Sequence, residues 1–408
     1  MKSAKITSVA LALAIAASIP ASIPAAAAET TTSTAAVSAS TASAKTYKTD
    51  SIIKSSGYKT AYTSRYAYKT LSSKEKTLYK SIVAAVKDLE SVVTLPSGIT
   101  DNQIMKVYSL VFNEEPQLFW MGSGYTKGSD YLYVSYKTND LDEIEKMQKA
   151  MNKQTSSLLA KAKKYSSTYN KLKVFYDYIV LNNDFMLEDA DNSFNSTVYA
   201  GLTKKESLQC AGYAKTMQYL CDLAGIECMV VTGTNKSGDS HAWNVVKCGD
   251  GYYNLDPTWG DPKNSFGSSY ISYMFFLVPD AWIKNISHYN VNVVTRANGT
   301  KVKLFTPPSC TKTKYNYFIK SGLNYSSASK GYTGLKAQVK KAVAAKSNVA
   351  EIRVSSKSAY TTLTSSSYQS KLQSYAKSLS SNVSSVKVQY KSVTAGTYVV
   401  HYDITYKK

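Results

Sequence analysis

The sequence predicts an α+β protein, and three observations carry that prediction. A helical repeat of Tyr213, Ala214, Met217, Leu220, Cys221 and Ala224 runs until Gly225 stops it. The β-rich run ECMVVTG (residues 227–233) follows directly. Residues 240–259, SHAWNVVKCGDGYYNLDPTW, then give two alternating runs split by Gly249 and Asp250, a pair suited to a two-residue hairpin turn.

The rest of the 408 residues is organised around this centre. Lys2 and Lys5 precede an apolar stretch, and PAAAAET offers a small-residue cleavage site after Ala28, so residues 1–28 read as a secretory signal peptide. Residues 29–50 are mainly Thr, Ser and Ala, a composition that cannot offset its own ordering entropy, and read as a flexible linker.

Residues 51–167 read as a mostly helical N-terminal extension. Ser72 and Glu75 make a capping box ahead of Leu78, Tyr79, Ile82, Val83 and Val86. Asp101 caps a second helix with Ile104, Val107, Tyr108 and Val111 on one face. EEPQLFWMGSG reads as a loop, DYLYVSYK as a strand, and residues 141–164 as a long polar helix. Residues 168–308 form the central core, opened by a helix with Leu172, Phe175, Tyr176 and Ile179 on one face and closed at Pro307 and Pro308.

Residues 309–408 read as a small α+β accessory module: a helix over 335–345, the strand EIRVSS, a helix over 363–379, and the strands SSVKVQYKS and TYVVHYDITY. This tail carries His401 but shows no cluster of catalytic side-chain types.

Forty-nine Lys and Arg against 28 Asp and Glu give a net charge of +21. In an exported chain that excess points to anionic wall polymers or acidic surfaces. No Arg-rich or Gly-aromatic motif marks a nucleic-acid binder, and no stretch reaches the length of a membrane-spanning helix. The 34 tyrosines read as half-buried strand packing, with sugar-stacking platforms as their other use.

The hairpin carries the chemistry. A turn at Gly249 and Asp250 pairs Cys248 with Gly251, and counting outward pairs Trp243 with Asp256. His241, one of three histidines, then shares a face with Trp243 and Asp256, within diagonal reach of the carboxylate. A three-residue loop would put them on opposite faces. A carboxylate that holds one ring nitrogen leaves the other to exchange a proton with a nucleophile. Cys210 fits that role, because it stands at a helix start, where unpaired N–H groups and the helix dipole favour a thiolate and can receive an oxyanion. Ala211 and Gly212 leave room for a substrate backbone to approach.

QCAGYAKTMQYLCDLAGI, VTG, HAWNVV and YYNLDPTWGDP resemble the transglutaminase-like superfamily of papain-related cysteine enzymes, in its exported bacterial branch. PQLFWM and the helix from Leu172 to Val180 resemble the N-terminal extension of that branch, so the likeness covers roughly residues 71–288. It implies a helix bearing the cysteine packed on an antiparallel sheet bearing histidine and aspartate. It implies, too, a thiolate that attacks a carboxamide or amide carbonyl, and a thioester resolved by an amine or water.

Carried over residue by residue, the resemblance makes Cys210 the nucleophile, His241 the base and later acid, and Asp256 the orienting carboxylate. Trp243 and Trp259 match aromatics that either wall the site or pack the core. Tyr199, and after it Gln209, are the candidates for assisting the oxyanion. Gly260 before Asp261 departs from a more acidic pattern, and Asp261 reads as a turn residue rather than a metal ligand. His288 reads as structural, and Cys221, Cys228 and Cys248 as buried thiols. No cofactor is implied. The expected partner is a protein or peptide substrate, including cell-wall peptides. The same residues would also suit a binding or adhesion protein that keeps the scaffold without turnover.

Overall fold

The computed structural model describes residues 46–186, 194–203, 207–235, 237–261, 270–284, 288–296, 298–389 and 398–407. The expected signal peptide and most of the expected linker lie outside them.

The first described half is built of helices closed around one small sheet. Helices α1 (Asp50–Ser55), α2 (Tyr66–Lys69) and α3 (Ser73–Asp88) come first, and α3 starts at the Ser72–Glu75 capping box, with both reciprocal hydrogen bonds present. Strand β1 (Val92–Thr94) leads to α4 (Asp101–Glu114), β2 (Met121–Lys127), β3 (Tyr131–Tyr136) and α5 (Leu141–Lys163). The α4 cap is Thr100, which accepts from Gln103 N–H in a second capping box; Asp101 is the first helical residue instead. Threonine and aspartate stand side by side there, and the glutamine three residues on selects the threonine. EEPQLFWMGSG is a loop only in its first half, since Met121 already pairs with Tyr136 in the sheet β1-β3-β2.

Helices α6 (Thr168–Asn182), α7 (Val198–Thr203) and α8 (Cys210–Leu223) lead into the sheet β4 (Cys228–Thr234), β5 (Ser240–Cys248) and β6 (Gly251–Leu255). Nearly every α8 side chain after the first turn is buried, which fits a helix enclosed by α7 on one side and β5 on the other. The sheet runs β4-β5-β6, antiparallel throughout, and Cys248 pairs with Gly251 as the two-residue turn requires. Gly249 holds φ +60°, a value glycine adopts without the strain a side chain would bring. The chain is therefore of the α+β class.

The tail builds a second apolar cluster from Leu335, Val339, Ile352, Leu372, Val386 and Tyr402, among others. Its strands are β7 (Asn324–Tyr325), β8 (Val349–Val354), β9 (Val383–Gln389) and β10 (Val399–Tyr406), and the sheet runs β9-β10-β8-β7. The helix expected over 335–345 spans Ala328–Ala344, longer than its apolar pattern indicated. Its opening turns use Gly331 and Gly334, whose missing side chains admit Leu363 and Tyr325 and hide the periodicity. The expected helix over 363–379 is Ser366–Leu379, and an additional short helix, Lys357–Leu363, precedes it; each is capped by its own serine. The tail does hold a polar cluster: His401 lies 2.7 Å from Glu351 and 2.9 Å from Asp403. Strand pairing sets Glu351 opposite His401, a neighbour relation that separation in sequence concealed.

Candidate active site

Cys210 is the first residue of α8, after the N-cap Gln209, whose carbonyl receives Tyr213 N–H. By helix geometry the N–H groups of residues 210–212 have no acceptor within the helix, so the sulfur sits beside three donors pointing out of the helix end. Cys210 is partly exposed, whereas Cys221, Cys228, Cys248 and Cys310 are buried free thiols. Their burial in apolar surroundings pushes Cys248 up to about 12 and Cys228 well above its ordinary value.

The hairpin register brings His241 to Asp256, with Nε2 2.6 Å from Oδ2. Nε2 is thereby engaged by the carboxylate, and Cys210 is near enough to the imidazole to favour its charged form. Burial disfavours charge on His241, but the Asp256 carboxylate and the Cys210 contact outweigh it and raise its pKa to about 10. Asp256 is almost wholly buried, a cost offset by His241 and His288, so that its carboxyl is held far below the usual range. Trp259 N–H donates to its other oxygen at 3.1 Å.

His288 is the partner that sequence reasoning undervalued. Its Nε2 lies 3.0 Å from the same Asp256 Oδ2, its ring is buried, and burial together with the charge on His241 lowers its pKa. The signal was present in part: a third of the chain's histidines lies here, yet 32 residues separate it from the aspartate it meets.

The aromatics divide. Trp243 is buried, stacks on His241 with centroids 5.9 Å apart, meets the His288 ring edge-on at 4.4 Å, and donates to Asn254 Oδ1 at 3.0 Å. Trp259 is 43% exposed and stands edge-on to His241 at 6.3 Å, on the solvent side. Tyr199 on α7 packs its ring between Phe119 and Phe194. Gln209 is buried at the helix cap, its N–H held by the Asn195 carbonyl at 3.1 Å. Asp261 sits in a turn closed onto Thr258, and its carboxylate also accepts from Tyr213 on α8 at 2.5 Å, tying the aspartate loop to the cysteine helix.

Gly212 serves the chain's own backbone. A Cβ there would lie 2.3 Å from the Asn195 carbonyl oxygen, so its missing side chain admits that carbonyl rather than a substrate.

Among the described residues, His241, Asp256 and His288 are the one set of three whose ligand atoms converge, within 4.8 Å of each other. The 2.6 and 3.0 Å separations are those of hydrogen bonds that already engage Oδ2 from both rings. No helix among those residues is long and apolar enough to cross a membrane.

A helix-borne cysteine packed on an antiparallel sheet that carries histidine and aspartate defines a papain-like α+β core. Residues 156–257 match the family model described as the transglutaminase-like superfamily, which identifies that segment as transglutaminase-like. Over 70 residues it is 34% identical to the kyphoscoliosis peptidase of Homo sapiens, covering 14% of this chain and 11% of that protein. Over 155 residues it is 24% identical to the kyphoscoliosis peptidase of Mus musculus, covering 33% and 22%. The chain thus matches between about a tenth and a quarter of the length of these curated relatives. Among solved structures, the periplasmic domain of TgpA from Pseudomonas aeruginosa is 17% identical, with 33% of this chain and 57% of that one covered at a TM-score of 0.24. A structure described as a TGase is likewise 17% identical, with 41% and 50% covered at a TM-score of 0.25.

Proposed function

We propose that the protein is a thiol enzyme acting on amide or carboxamide carbonyls of peptides or proteins, with Cys210 as nucleophile, His241 as proton carrier and Asp256 as the orienting carboxylate. One observation carries the reading: a single buried imidazole bonds a carboxylate through Nε2 and contacts the one partly exposed thiol. Asp256 fixes the ring and stabilises its charged form, so the imidazole can take the thiol proton as the sulfur attacks and hold it as an imidazolium.

The sulfur adds to the carbonyl carbon, and the carbon–oxygen π electrons move to oxygen. The N–H groups at the start of α8 stabilise that oxyanion, with Tyr199, and after it Gln209, as the side chains to assist. The intermediate collapses as the imidazolium donates its proton to the leaving nitrogen, which releases amine or ammonia and leaves a thioester. Water or a second amine then attacks the thioester, giving up its proton to the neutral imidazole, and the thiolate departs. Trp259, exposed beside His241, is suited to wall the acyl group, while Trp243 supports the ring from the core side. Export, as the first 28 residues indicate, would set this chemistry outside the cytoplasm.

A thiol-directed electrophile tests the reading. Selective labelling of Cys210 that vanishes in His241→Ala supports it, and equal slow labelling of all five cysteines would leave a binding scaffold instead. Incubation with a glutamine peptide and a primary amine then separates the chemistries by mass: ammonia loss with amine gain means transfer, and backbone cleavage means hydrolysis.

A further inference from the structure

The positive charge is concentrated in the tail. The last hundred residues hold sixteen Lys and Arg against only two acids, Glu351 and Asp403, and so carry 14 of the 21 excess charges. Both acids are spent on one residue, since Glu351 bonds His401 Nδ1 and Asp403 bonds Nε2. Neither acid is free to neutralise the surface.

We propose that the seam between helices Ala328–Ala344 and Ser366–Leu379 is a docking surface for an acidic polysaccharide, an activity separate from the thiol chemistry. On the first helix Tyr332, Lys336 and Lys340 follow one another at four-residue spacing; on the second, Tyr368, Lys371 and Tyr375 follow at three and four. The two rows meet. Tyr332 and Tyr368 lie edge to face at 5.2 Å, Lys336 Nζ lies 5.2 Å from the Tyr332 centroid and 5.9 Å from Tyr375, and Lys371 Nζ lies 4.8 Å from Tyr368. Leu335, Val339, Leu372 and Ala376 bury the inner faces of the same helices, which turns this strip outward.

The kind of cation identifies the occupant. The tail's single arginine, Arg353, is buried, with its guanidinium 3.7 Å from the centre of the Trp282 ring and one nitrogen on Asn324, so the exposed charge is all lysine. Lysine is a point charge that follows a flexible polyanion, whereas the arginine forks that grip phosphates and guanine edges in pairs are missing from this surface. Leu379 is the one large hydrophobic among the described tail residues that is exposed, so those residues offer no apolar face to enter a bilayer. Half-buried tyrosines between the lysines suit sugar rings and hydroxyls.

The test uses the full chain and polygalacturonate as probe, with dextran, double-stranded DNA and vesicles of phosphatidylcholine and phosphatidylglycerol as comparisons. The wild type is expected to bind polygalacturonate and not dextran. K336Q/K340Q/K371Q should weaken that binding at least tenfold and flatten its salt dependence. Removing three exposed charges elsewhere, K146Q/K153Q/K163Q on α5, should change it less than twofold. Equal losses in the two triple variants would overturn the proposal by showing diffuse attraction. Tighter binding to DNA or to the vesicles than to polygalacturonate would overturn it in favour of those partners.

Discussion

Asp256 Oδ2 receives two imidazoles, His241 Nε2 at 2.6 Å and His288 Nε2 at 3.0 Å, while Oδ1 takes the Trp259 N–H. His241 gains charge from this sharing, and His288, buried and facing a charged neighbour, stays neutral and serves as a donor. His288→Ala removes that donor and opens a cavity beside Trp243. The variant should lose about 2–4 kcal/mol in urea unfolding, and its Cys210 labelling should slow roughly tenfold if the aspartate loses its aim. His288→Gln, which keeps an N–H, should restore part of the labelling rate; an Ala variant that labels normally would mark His288 as packing alone.

The charge on His241 depends on Asp256. Because the folded pKa of about 10 lies above the ordinary 6.5, the stabilisation from this pair is complete below the ordinary value and is lost as pH climbs through about 10. Asp256→Asn takes away the main counter-charge. The imidazolium should then titrate at least two units lower, read from the ring protons of His241 by NMR or from the pH profile of Cys210 alkylation. Superimposable profiles for wild type and variant would show that the carboxylate does not set the histidine's charge.

Gly212 stands in the first turn of α8, against the Asn195 carbonyl and the Leu208 side chain, at 2.3 and 2.6 Å from where a Cβ would be. The Asn195 carbonyl also fixes Gln209, so a side chain at 212 would push on the cap that seats the nucleophile. Gly212→Ala should cost about 1–3 kcal/mol in thermal or urea unfolding, with slower Cys210 labelling. Unchanged labelling in a destabilised variant would separate the cap from the chemistry.

Trp243 and Trp259 should respond oppositely to truncation. Trp243→Ala empties a buried site under two imidazoles and should destabilise by about 3–5 kcal/mol. Trp259→Ala removes a ring that is 43% exposed, so stability should move by less than about 1 kcal/mol, and KM for a bound peptide should rise instead. Equal loss of stability in the two variants would contradict the assignment of one to the core and the other to the rim.

What could be read from the sequence followed from short-range rules. A two-residue turn fixes hairpin register, and register fixes faces, so His241 and Asp256 could be set together by counting. The Ser72 cap and the end of α8 near Gly225 obey equally local chemistry. What stayed hidden depends on distance along the chain. His288 meets Asp256 across 32 residues of sequence, Glu351 meets His401 across paired strands, and the tail's glycines obscure a helix because their reason lies in Leu363 and Tyr325. Gly212 misled for the same cause, since only the folded chain shows whose backbone it admits.

Glu114, the last residue of α4, was part of an unremarkable loop motif in sequence and is buried in the structure, with Oε1 accepting Val230 N–H at 2.8 Å. Burial pushes its carboxyl up to about 8, against the pull of Arg65. An acid whose folded pKa lies above its unfolded one holds its proton longer in the native state, so stability falls as pH rises from the unfolded value through about 8 and then levels off. The slope from this group is on the order of 1.4 kcal/mol per pH unit inside that window. Glu114→Gln keeps the acceptor for Val230 and cannot ionise, so it should remove that slope and be more stable than the wild type at pH 9. Urea midpoints at pH 5, 7 and 9 measure it, and parallel curves for the two proteins would show that Glu114 is ionised in the folded state throughout.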